Sequence, residues 1–118
     1  MPDALFVYGS LRSEFDNPHV RLLQEKAESM GRATVRGSIF LIGRYPGYRA
    51  EPDGVVQGEV WRLREPEATL AALDDYEGEA YSRIAVMLET PRIDAWIYLY
   101  NGAAQPDRRI ASGDFLDQ

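Results

Sequence analysis

Two places in this chain carry residue types that could do chemistry together: a Gly-Ser turn near its start and a glutamate that continues an apolar helix stripe. The turn lies in LFVYGSLR, residues 5–12, where an apolar run breaks at Gly9 and Ser10 directly after Tyr8. Glycine and serine make ordinary turns. Consecutive backbone N–H groups in such a turn also form a concave site for a carboxylate or an oxyanion. The glutamate is Glu77. Leu70 and Leu73 define the buried face of its helix, and Glu77 falls on the same face, whereas Asp74 and Asp75 point elsewhere and can be solvated. Desolvation and the negative C-terminal end of a helix both raise a carboxylate's pKa. A glutamate tuned in this way has the basicity that a general base needs near neutral pH. The alternative is a frayed helix end at which Glu77 turns to solvent and pairs with Arg83.

Other candidates have simpler alternatives. Glu59 lies in an alternating strand opposite Val56, Gly58 and Val60, and reads as an outward polar residue. Tyr98 and Tyr100 share one face of the last strand, either as packing residues or as phenols at a pocket mouth. Arg12 could hold an anionic ligand or be a solvated surface arginine. His19, the only histidine, follows Pro18 and reads as an exposed first-turn residue, although any Ser-His-Asp triad would have to use it. With one histidine and no cysteine, multi-histidine metal sites, thiolate nucleophiles and disulfides are excluded.

The chain's 118 residues suit a single domain, with a core over about residues 4–100 and a loosely packed polar tail over 101–118. Its 13 basic and 19 acidic residues leave a net charge of −6, which repels a phosphate backbone, so nucleic acid is not an expected partner. No apolar run approaches the roughly 20 residues needed to cross a bilayer. The N-terminus flows into a strand without a basic leader, so the expectation is a cytoplasmic protein with no membrane association.

The elements that must position these residues are strands with two inserted helices. Residues 4–8 read as a strand buried on both faces. Asn17-Pro18 starts a helix whose stripe is Val20, Leu23, Ala27 and Met30, closed by Gly31. ATVRGSIFLI, with Gly37 as a bulge, and VVQGEVWRL over 55–63 read as an antiparallel pair joined through the turn-rich Tyr45 to Asp53 region. The second helix runs from Glu65-Pro66 to Glu77, with Gly78 as its cap. Strands RIAVMLE, 83–89, and DAWIYLY, 94–100, follow, joined at Thr90-Pro91. The sum is an α+β domain with a curled or barrel-like mixed sheet, because this many strands must cover or close their edges.

Taken in order, YGSL, RYPGY, VQGEVWRL, LDDYEGEAYSR and AWIYLY resemble the gamma-glutamylcyclotransferase-like superfamily. The nearest branch is that of gamma-glutamylamine cyclotransferase and the avirulence-induced-gene-like proteins, and the likeness spans roughly residues 4–100. The resemblance implies a small mixed β-barrel flanked by two main helices. It also implies a cofactor-independent, metal-free activity that releases 5-oxoproline from small γ-glutamyl amines or amino acids. On this pattern Tyr8, Gly9, Ser10 and Leu11 line the substrate pocket and Glu77 is the catalytic base, with Arg12, Tyr81, Arg83 and Tyr98 as further pocket candidates. The alternatives are a binding or regulatory domain that keeps the pocket without catalysis, and an interaction domain that recruits a partner through an exposed aromatic strand edge.

Overall fold

In the computed structural model, which describes residues 2–13 and 15–117, strand β1 (Ala4–Val7) is buried at every position because its two faces serve two cores. Ala4, Phe6 and Tyr8 join Val35, Ile39, Tyr48, Val60 and Ile97 inside the curl of the sheet. Leu5 and Val7 face outward and are covered by Leu23, Leu70 and Leu73 of the two helices. A run without polar alternation is what a strand with two covered faces requires.

The remaining elements are α1 (Pro18–Lys26), β2 (Ala27–Arg36), β3 (Ser38–Ile42), β4 (Tyr45–Arg49), β5 (Val55–Leu63), α2 (Pro66–Glu77), β6 (Tyr81–Met87) and β7 (Asp94–Tyr100). The strands form one sheet in the order β2-β5-β1-β7-β4-β3, with β6 also paired to β7. The β1–β7 and β4–β7 pairs are parallel and the others antiparallel, so the sheet is mixed. Its curl brings Thr34 of β2 against Thr90 beyond β6, where the Thr34 N–H donates to the Thr90 carbonyl at 2.8 Å. This bridge stands in place of continuous strand pairing, and the result is an α+β half-barrel flanked by two helices.

Five expectations about the elements are corrected. Helix α1 ends at Lys26: Ala27 is extended and pairs with Leu63, so strand pairing ends the helix ahead of Gly31, and Met30 is exposed. The bulge in β2 falls between Ser29 and Arg32, while Gly37 marks the break between β2 and β3. Within the turn-rich segment, Tyr45–Arg49 is a strand; β3 pairs with it, and only the β2 portion of the expected pair adds to β5. The segment from Asn101 packs rather than trailing: Ile110 is buried and its N–H donates to Ile39, and Gln57 N–H donates to Gly113. The aromatic strand β7 is also no free edge, since β1, β4 and β6 all pair with it.

Candidate active site

A cleft lies at the end of β1 and along the residues that follow it. Tyr8 spans the gap between β7 and β4: its hydroxyl donates to the Tyr98 carbonyl at 2.6 Å and accepts from the Tyr48 N–H at 3.0 Å. Burial pushes this phenol's pKa well above its ordinary value, so it stays protonated and bonded. Beyond it, the Arg12 N–H donates to the Gly9 carbonyl at 3.0 Å and closes a turn. Gly9 is needed here for space rather than for positive φ, because a Cβ would lie 2.8 Å from Cγ of Pro46. Among the described residues, none accepts a hydrogen bond from the N–H groups of Gly9, Ser10 or Leu11. Three consecutive residues that line the cleft thus carry N–H donors with no acceptor among the described residues.

The turn is held from behind. Arg12 is fully buried and its guanidinium pairs with Asp114 at 2.8 Å, so it is neither in the lining of the cleft nor at the surface, the two positions the sequence left open. Glu59, expected to point outward, is buried and accepts from both the N–H and the hydroxyl of Ser13, the former at 2.7 Å. Its strand is covered on both faces, so alternation did not signal exposure. Asn17 caps α1 by accepting from the His19 and Val20 N–H groups, and its amide donates to the Ser10 carbonyl at 2.9 Å.

The opposite wall is the end of α2. Thr69, Leu70 and Leu73 are its buried residues, and the same face carries Glu77 into the lining of the cleft. Gly78 ends the helix at φ 74°, a conformation that favours glycine, and its N–H bonds the Asp74 carbonyl. Among the described residues, Glu77 is the only carboxylate lining the cleft. Desolvation pushes its pKa up to about 7. Arg83 is not its partner: the guanidinium takes Asp74 with bonds of 2.8 and 3.1 Å and lies 4.3 Å over the Trp96 ring. Asp74, expected to be solvated, also accepts from the Tyr98 hydroxyl at 2.7 Å.

The cleft has a volume of about 210 Å³. It brings together Tyr8, Gly9, Ser10, Leu11, Glu77, Tyr81 and Tyr98, while Arg12 and Arg83 lie outside its lining. The Tyr81 hydroxyl donates to the Pro46 carbonyl at 2.9 Å, and burial with Glu77 nearby pushes its pKa up to about 12. Burial and the Asp74 hydrogen bond raise that of Tyr98 as well. Both phenols are thus fixed donors rather than acids. Tyr45, Pro46 and Tyr76 add to the lining beside Phe6 and Val7 of β1, and Tyr45 and Tyr76 are exposed. These three carried no chemical signal of their own in the sequence, although each sits in a stretch, RYPGY or LDDYEG, that carries the resemblance.

The half-barrel that sets this glycine-serine turn across from one desolvated carboxylate is a fold shared with known proteins. The family described as gamma-glutamyl cyclotransferase, AIG2-like, matches residues 5–117. The gamma-glutamylcyclotransferase family protein YtfP of Escherichia coli K12 is 35% identical over 116 residues, covering 97% of this chain and 96% of that protein. The solution structure of E. coli ytfP superposes with a TM-score of 0.70 at 35% identity, over 97% of this chain and 96% of that one. Bacillus subtilis YkqA superposes with a TM-score of 0.76 at 31% identity, over 97% of this chain and 39% of that longer one. The chain belongs to the gamma-glutamyl cyclotransferase, AIG2-like family.

Proposed function

We propose that this protein is a γ-glutamyl(amine) cyclotransferase, converting a small γ-glutamyl compound into 5-oxoproline and a free amine, with Glu77 as general base. The observation that carries this reading is the Glu77 carboxyl, its pKa pushed up to about 7, in a cleft also lined by Gly9, Ser10 and Leu11, whose N–H groups have no acceptor among the described residues. Glu77 takes a proton from the substrate's α-ammonium, and the freed nitrogen attacks the γ-carbonyl of the same molecule, forming the ring C–N bond. The N–H groups of Gly9, Ser10 and Leu11 bind the α-carboxylate or the developing oxyanion. As the tetrahedral centre collapses, the carboxylic acid returns its proton to the departing nitrogen, the original amide C–N bond breaks, and the ring nitrogen's second proton passes to the freed amine, which leaves as an ammonium. The attack is intramolecular, so a cleft that holds the γ-glutamyl chain folded removes much of the barrier without a covalent enzyme intermediate.

The test is incubation with γ-glutamyl amino acids and γ-glutamyl-ε-lysine, followed by mass spectrometry for 5-oxoproline. Glu77→Gln is expected to lower turnover about 10²- to 10⁴-fold, the usual worth of a general base. Full activity in that variant would remove Glu77 from the role. A ligand that raises the melting temperature yet is recovered unchanged would identify a binding domain instead.

A further inference from the structure

We infer that Tyr76 is a positioning residue, which fixes the donor turn against the Glu77 end of α2 by closing a ring of contacts through three elements. The inference builds on the cyclotransferase reading of the cleft. Glu77 is the last residue of α2, and Leu73, the nearest buried anchor of that helix, lies a full turn earlier. The turn at Gly9 to Leu11 follows β1, on a different part of the chain. Something must set the spacing between them.

The ring does so residue by residue. The Ser10 carbonyl accepts from the Asn17 amide at 2.9 Å, and Asn17 in turn caps α1 by accepting from the His19 N–H at 3.0 Å. The His19 ring stacks on Tyr76, with centroids 3.7 Å apart and planes inclined by 24°. The Tyr76 hydroxyl then bonds the Ser10 hydroxyl at 3.0 Å, which returns the path to its start. Tyr76 is 37% exposed, so core burial does not explain its ordered position. Adjacent helix residues point about 100° apart, which lets Tyr76 reach α1 and Ser10 while Glu77 faces the cleft. A contact made by the residue next to the base thus ties both walls together, and it explains a histidine that the proposed chemistry leaves unused.

The experiment combines amide hydrogen exchange by NMR with steady-state kinetics on the whole chain. The Arg12 N–H is the probe, because it bonds the Gly9 carbonyl and exchanges when the turn opens. Tyr76→Phe keeps the ring face and removes the hydroxyl bond. It is expected to speed Arg12 exchange about 3- to 10-fold, the worth of one hydrogen bond, with the amides of β1 and β5 unchanged. Ser10→Ala should do the same, the double variant should go no further than either single one, and Ser10→Thr should restore protection. With a γ-glutamyl substrate, kcat should fall by a similar factor while KM holds. Unchanged Arg12 exchange in Tyr76→Phe, additive effects in the double variant, or faster exchange with an unaltered kcat would each overturn the inference. A wild-type protein that forms no 5-oxoproline would instead count against the cyclotransferase reading, and Arg12 exchange would still decide the ring.

Discussion

Glu77 illustrates how far one residue's environment can be argued. Folding moves its pKa from the ordinary 4.5 to about 7, so between these values the folded protein holds a proton that the unfolded chain has released. Stability contributed by the protonated carboxyl is therefore present at low pH and lost as pH rises through about 7. Glu77→Gln removes this dependence. It is expected to be more stable than the parent above pH 7, by ~2 kcal/mol after discounting for solvent in the cleft, and nearly equal below pH 4.5. Urea melts across this range measure the difference, and a constant difference at all pH values would refute a shifted carboxyl. The inward direction of Glu77 was legible in the sequence because Leu70, Leu73 and Glu77 follow helix spacing. Glu59 was not legible, since alternation along a strand names two faces without saying that both are covered.

At the scale of elements, the cleft depends on how α2 is tied to β6 and β7. Asp74 makes that tie by accepting two bonds from Arg83 and one from Tyr98. The Arg83 bonds and the Tyr98 hydroxyl lower the Asp74 pKa, and partial burial opposes them. The tie therefore holds above the usual carboxylate range and weakens as pH falls through the lowered folded value. Asp74→Ala is expected to cost ~1 kcal/mol, a modest figure because the pair is partly exposed, and to lower cyclotransferase turnover by loosening Tyr98. Equilibrium unfolding beside kinetics checks both; full stability with normal turnover would make the network ornamental. The helices and most strands could be read from periodicity, caps and β-branched runs. Strand β4 could not: Pro46 and Gly47 read as turn punctuation. They are tolerated in a strand because β4 meets β7 at Tyr48, opposite Leu99, while Pro46 and Gly47 take their register from β3, opposite Leu41 and Phe40.

For the whole molecule, the sheet's order could not be derived from the sequence, because its parallel pairs join β1 and β4 to a strand about half the chain or more away. A mixed, edge-covering sheet was still the expected class, since the chain has more strands than two helices can cover separately. The C-terminal segment is where this long-range closure reaches the cleft. Asp114 approaches Arg12, 102 residues earlier in the chain, and the carbonyl of the preceding residue, Gly113, accepts from the Gln57 N–H of β5. The donor turn therefore rests on residues that the sequence assigned to a loose tail. Asp114→Ala withdraws one charged acceptor from the buried Arg12 guanidinium, so it is expected to cost ~2 kcal/mol, the worth of a hydrogen bond between charged groups, and to speed exchange of the Arg12 amide in the turn. Asp114→Asn, which keeps an acceptor for the guanidinium, should recover part of the stability. If Asp114→Ala instead unfolds at the parent's denaturant midpoint, the C-terminal segment does not brace the turn, which is then held by Glu59, Asn17 and the Tyr76 contact.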